Sequence, residues 1–148
     1  MNELNIKKSI TLNVEAAKVW EALTKPEMIK KYMSGTEVIS DWKVGSPILW
    51  VGTSEGAEKV MVKGSIERIE AGKLIQFTTL DLNAEYIDVP SNYVKATYEL
   101  TPKLGKTLLS VTQGDYSRVE DGRKRFVDDD GGWNRTLNAL KEFIETKR

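Results

Sequence analysis

Between residues 4 and 14 the apolar side chains fall on even positions: Leu4, Ile6, Ile10, Leu12 and Val14, with Lys8 the one break. Period two of this kind predicts a strand buried on one face. The period then changes. Ala16, Val19, Trp20 and Leu23 sit at i, i+3, i+4 and i+7, the spacing of a helix with one apolar face. Pro26 suits the first turn of a second short helix through Tyr32, where its missing N–H costs nothing, and Glu27 complements the positive helix end. Trp20, on the inner face of the first helix, is assigned to the core.

From residue 37 to about residue 113 the pattern is that of consecutive strands. Glu37-Val38-Ile39 forms a short one, followed by a tight turn at 41–45 that presents Trp42, and Pro47 opens the next. A large aromatic on so short a connection is unusual, because turns favour small polar residues. Residues 48–51, 59–69, 74–80, 93–100 and 107–113 follow as strands. Val60, Val62, Gly64 and Ile66 share a face, as do Val94, Ala96, Tyr98 and Leu100, and then Leu109, Val111 and Gln113. The hairpin turn Pro102-Lys103-Leu104-Gly105 joins the last two, and short turns throughout predict an antiparallel meander.

Residues 115–130, DYSRVEDGRKRFVDDD, are charged and without apolar period, and are expected to form a surface loop with at most a turn of helix. A final helix is expected from about residue 129 to 146. Trp133, Leu137, Leu140 and Ile144 make its apolar stripe, opposite Asn134, Asn138, Lys141 and Glu145, and residues 128–130 supply N-cap oxygens. About 18 residues span roughly 27 Å, enough to cross a sheet. The element order gives an α+β fold: a curved antiparallel sheet around a long C-terminal helix, with two short helices after the first strand.

Composition narrows the chemistry. At 148 residues the chain suits one domain, residues 1–148, with no need of a staple. Twenty-two basic residues balance twenty-two acidic ones, so no overall field recruits nucleic acid. There is no cysteine and no histidine. That excludes disulfides, thiolate nucleophiles, Ser-His triads and the usual zinc ligands, and no cofactor is implied. No apolar run approaches the ~18 residues of a membrane span, and the N-terminal stretch lacks the apolar core of a signal peptide, so a cytoplasmic location is expected.

A straight helix over a bent sheet leaves a gap that large side chains or a ligand must fill. Strand phase points Trp50, Val62, Phe77, Tyr98 and Gln113 into that gap, and the last helix adds Trp133, Leu137 and Leu140. Met33 and Trp42 close one end. These ten residues are the expected cavity lining, mostly apolar with Gln113 and the Tyr98 hydroxyl as polar groups, the usual make-up of a small-molecule site. Trp133 and Leu137 fit plain core equally well. Gln113 is either buried, needing a partner from protein, water or ligand, or solvated at a strand end.

The segment GTEVISDWKVGSP at 35–47 closely resembles a signature stretch of the chaperone-ATPase-activator homology (Aha-like) family, a branch of the START-related, SRPBCC helix-grip superfamily. AAKVWEALTKPEMIKKY at 16–32 is similar to that family's first two helices. Asp88-Val89-Pro90-Ser91-Asn92-Tyr93 resembles its D-x-P-E-N-Y turn, with Ser91 where glutamate is usual. TQGD at 112–115 and the Trp133…Leu137…Leu140 helix follow in the family's order. The resemblance implies a helix-grip fold with an internal cavity, and it carries over no catalytic residue set.

Three functions suit this reading. The first is binding of a small apolar or aromatic molecule, lipid- or polyketide-like, between sheet and C-terminal helix, with residues 115–130 as a gate. The second is a cyclase- or hydrolase-type enzyme using a carboxylate of the acidic loop Asp81, Glu85 and Asp88. The third is a co-chaperone-like role with a chaperone partner, for which residues 118–125 would offer a mixed-charge surface. The triplet Asp128-Asp129-Asp130 lacks the spaced ligands of a calcium loop.

Overall fold

In the computed structural model, residues 3–146 are described; the outermost two residues at each end of the expected 1–148 domain lie outside them. The chain runs β1 (Ile6–Leu12), α1 (Ala16–Thr24), α2 (Pro26–Tyr32), β2 (Glu37–Ser40), β3 (Pro47–Ser54), β4 (Ala57–Glu70), β5 (Leu74–Asp81), β6 (Val94–Lys103), β7 (Lys106–Gly114) and α3 (Gly122–Thr146). Single 3₁₀ turns at Pro90–Asn92 and Tyr116–Arg118 precede β6 and α3.

Among the described residues the seven strands form one antiparallel sheet in the order β1-β7-β6-β5-β4-β3-β2. β2 to β7 are the expected meander. β1 and β2, neighbours in sequence, lie on opposite edges, so α1 and α2 must carry the chain across one face of the sheet. The strand phases follow the sequence closely. Val94, Ala96, Tyr98 and Leu100 of β6 are buried, while Lys95 and Glu99 are exposed.

Two bulges, at Trp50/Val51 and between Ile66 and Arg68, bend the long β3–β4–β5 ribbon. Between them stands Gly64, where a Cβ would come within 1.6 Å of the Thr78 carbonyl oxygen, so only glycine permits this approach of β4 to β5.

The main core joins α1, α2 and the later part of α3 to the inner sheet face through Val19, Leu23, Ile29, Ile66, Leu109, Leu137 and Leu140. A smaller cluster of Ile6, Val94 and Tyr116 packs against Phe126, and Trp133 belongs to both.

The expectation for residues 115–130 is corrected here. α3 begins at Gly122 and holds 25 residues, so the acidic triplet sits inside the helix and caps nothing. Its first turns are held by polar contacts, which an apolar period cannot reveal. Tyr116 donates its hydroxyl to Asp129 at 2.6 Å, Asp130 pairs with Lys8 at 3.0 Å, and Asp128 pairs with Lys124 on the same helix. The Asp130 pair also explains why Lys8 interrupts the apolar series of β1. Buried Arg125 donates to the Asn92 carbonyl at 2.9 Å and lies over the Tyr86 ring.

Candidate functional site

The inner sheet face carries a row of rings across four elements. Trp50 on β3 meets Phe77 on β5 with centroids 5.3 Å apart, Phe77 meets Tyr98 on β6 at 6.0 Å, and Tyr98 meets Trp133 of α3 edge-on at 5.6 Å. Such spacings and tilts are those of favourable aromatic pairs. The row has two ends with different properties.

At the α3 end the space is filled. Leu137 and Leu140 are buried core, and Gln113 is buried with both amide ends engaged. Trp133 Nε1 donates to Gln113 Oε1 at 2.6 Å, and Gln113 Nε2 donates to Thr79 Oγ1 at 3.2 Å. The protein itself therefore satisfies Gln113, and no ligand or solvent is required. Trp133, Leu137 and Leu140 pack into this side of the space expected between the sheet and the C-terminal helix.

At the other end, under α1, α2 and the 41–45 turn, a void of about 20 Å³ persists. Met33, Trp42, Trp50, Phe77 and Tyr98 line it, and so do residues outside the expected set, chiefly Leu23, Ile29, Tyr32, Val38, Ile48 and Ile75. Val62, paired with Trp50 across β3 and β4, lies outside the lining, as do Gln113, Trp133, Leu137 and Leu140. The missed residues all belong to ordinary apolar periods, so nothing in the sequence separates them from core. A void this size holds about one water, against the 300–1,000 Å³ of typical ligand pockets.

Local backbone positions the mouth. Trp42 has φ 57°, a left-handed conformation that costs a bulky residue about 1–2 kcal/mol. Its N–H is held by Ser40 Oγ at 3.0 Å, and Gly45 N–H bonds the Ile66 carbonyl at 2.8 Å, which fixes the turn to β4. The strained turn lays the half-buried indole against the core. α2 closes the opposite side, with Met33 as its C-terminal cap residue.

Two phenols face this space. Tyr32 is satisfied, donating to the Ala22 carbonyl at 2.6 Å. Tyr98 is 7% exposed, and its hydroxyl makes no hydrogen bond to any described residue. Every fully enclosed side-chain polar atom among the described residues has a partner, so the Tyr98 oxygen keeps some accessible surface, and Tyr98 lines the void. Burial raises both phenols' pKa, and for Tyr32 the nearby Tyr98 adds to the rise, so both stay protonated. No carboxylate, lysine or arginine lines the space.

The other titratable candidates lie elsewhere. Asp88 is paired with Lys63 and accepts from the Tyr93 hydroxyl at 2.7 Å, and these two partners lower its pKa. It is thereby unsuited to hold a proton, and Asp81 and Glu85 are exposed. Asp129, which sequence reasoning read only as a cap, is raised by burial, but it is occupied by Tyr116 and does not line the void. Arg125 is buried, which removes it from the mixed-charge surface expected at 118–125. Among the described residues no cluster of carboxylates could hold a metal ion, and no helix is long and apolar enough to cross a membrane.

A larger concavity of about 580 Å³ lies on the outer sheet face, over Gln76, Thr78, Thr97 and Thr112 and beside Tyr93 and Arg118. Gln113 also borders it; Gln76 Nε2 donates to Thr97 Oγ1 at 3.1 Å, and Lys95 pairs with Glu67 at 3.0 Å. Its lining residues are chiefly polar and charged and stand on an open sheet face, unlike the mostly apolar lining of a typical small-molecule site.

Comparison with curated proteins returns no match. Among solved structures, the chain is similar to ChR145 from Cytophaga hutchinsonii at 35% identity and TM-score 0.80, covering 99% of this chain and 98% of that one. The Aha1 dimer from Colwellia psychrerythraea matches at 17% identity and TM-score 0.74, over 97% of this chain and 98% of that one. DynU16, from the dynemicin biosynthetic locus, matches at 15% identity and TM-score 0.77, over 99% of this chain but 49% of that one. The last two likenesses speak for the fold alone. The family described as activator of Hsp90 ATPase homolog 1-like protein matches residues 13–145, nearly the whole chain, and this protein belongs to that family.

Proposed function

We propose that the protein binds a small apolar or aromatic molecule in the space beneath α2 and the Trp42 turn, against the inner sheet face. The observation that carries this reading is the pairing of an uncharged, ring-rich lining with a residual void and a strained tryptophan at its edge. Trp42 shares its left-handed φ with five other non-glycine residues, but it is the bulkiest of them and the one that lines the void. Met33, Trp42, Trp50, Phe77 and Tyr98 form the binding set. Trp133, Leu137 and Leu140 support it from behind.

The space has room for about one water in this conformation, so binding requires α2 and the 41–45 turn to move apart. Apolar burial worth roughly 25 cal/mol per Å² offsets the cost of that opening. Binding of this kind, without chemistry, agrees with the absence of an ionisable group other than phenol in the lining.

The test is an indole NMR titration with neutral aromatics, sterols and fatty acids. Saturable shifts are expected at Trp42 and Trp50, with Trp20 unmoved. Absence of any saturable shift up to the solubility limit of every compound would overturn the reading and give precedence to a protein partner.

A further inference from the structure

The void and its polar inventory specify more than apolarity. Resting on the binding site proposed above, we infer that Tyr98 is its single buried hydrogen-bonding anchor, and that the ligand is a neutral aromatic molecule carrying an acceptor such as a ketone carbonyl.

The lining offers few polar groups. Tyr98 is more than nine-tenths buried, faces the void and has no protein partner for its hydroxyl proton. Tyr32, the other phenol, already donates to the Ala22 carbonyl, so its proton is committed. The indole N–H groups of Trp42 and Trp50 also make no hydrogen bond to a described residue, but both residues are only half-buried, so the one buried donor in excess is the Tyr98 hydroxyl. A ligand that brings an acceptor satisfies that excess, and one that brings none leaves a buried hydroxyl unpaired.

Charge decides the rest. A carboxylate enclosed here would meet no lysine or arginine, and a buried anion without a cation is strongly disfavoured. The phenol cannot supply a counter-charge, and it stays a donor at neutral pH because burial disfavours its anion. Fatty acids are therefore excluded, and neutral ketones are favoured. The neighbouring rings of Phe77 and Trp133, at 6.0 and 5.6 Å from Tyr98, hold the phenol in one orientation.

Three probes of one shape separate the possibilities: 2-acetylnaphthalene, 2-ethylnaphthalene and 2-naphthoate. The wild-type protein should bind both neutral compounds and bind naphthoate least. Tyr98→Phe should weaken the ketone about tenfold and leave the hydrocarbon unchanged or slightly tighter. The infrared carbonyl stretch of bound 2-acetylnaphthalene should fall below its value in cyclohexane, a readout that needs no variant.

Tyr98→Phe affecting neither neutral probe, or a cyclohexane-like carbonyl stretch, would overturn the anchor while leaving the apolar site intact. Naphthoate binding tightest would overturn the neutral class. Failure of the wild type to bind any of the three would remove the site and this inference together.

Discussion

The two ends of the aromatic row rest on the same sheet face and are built from the same residue types, yet they are finished differently. Toward α3, the indole of Trp133 bonds Gln113, Gln113 bonds Thr79, and Leu140 is 1% exposed. Toward α2, the Tyr98 hydroxyl is unpaired, Trp42 is strained, and about 20 Å³ is unfilled. A protein interior normally closes such gaps and pairs such groups. The difference teaches where this molecule spends stability and where it withholds it. The α3 end is packed as core, and the α2 end is the one we propose as the binding site.

That contrast can be broken by truncation. Leu140→Ala at the filled end should cost about 2–5 kcal/mol in denaturant unfolding. Met33→Ala, half-buried beside the void, should cost less than half as much. Equal losses would show that both ends are equally packed.

Polar deletion gives the next largest difference. Trp133→Phe strips Gln113 Oε1 of its indole donor inside the core and should cost about 1–3 kcal/mol. Tyr98→Phe removes a hydroxyl that no described residue uses, and its thermal midpoint should stay unchanged or rise. A fall comparable to that of Trp133→Phe would mean that the hydroxyl is structural.

The middle of α3 sharpens the comparison in the opposite direction. Gly131 and Gly132 stand inside the helix, where an added Cβ would meet only Arg135 side-chain nitrogens at 3.6 and 3.8 Å. Alanine at either position should stabilise the protein by about 1 kcal/mol. A destabilised variant would show that α3 needs local freedom to pack.

The smallest effect concerns alkaline pH. Burial holds the Tyr98 phenol above its ordinary value of 10.0, so the folded protein keeps this proton longer than the unfolded chain does. The stability it contributes is complete below about pH 10 and is lost as pH rises beyond it. Tyr98→Phe should therefore unfold less steeply with pH above 10 than the wild type. Superimposable alkaline limbs would place the phenol in contact with solvent.

How much of this was legible in the sequence follows from which signals are local. Strand phase placed Tyr98, Phe77 and Trp50 on the inner face, and α1 and α2 fall on residues 16–24 and 26–32 as their spacing and Pro26 require. The first half of α3 was not legible. Its inward contacts are made by Arg125, Phe126 and Asp129, and polar anchors such as Tyr116 and Lys8 come from distant segments. The location of the void was hidden for a related reason. Leu23, Ile29 and Ile75 read as core by period, and only the assembled fold shows that the fill stops short beneath α2. Gln113 could be flagged as decisive, but its partners Thr79 and Trp133 lie 34 and 20 residues away.

The most direct measurement is a set of intermolecular NOEs from 2-acetylnaphthalene to assigned methyl groups in the wild-type protein. Contacts are expected to the methyls of Met33, Ile75 and Leu23 beneath α2, and none to Leu140. Contacts to the methyls of Thr97 and Thr112 on the outer face, in place of those beneath α2, would contradict this expectation.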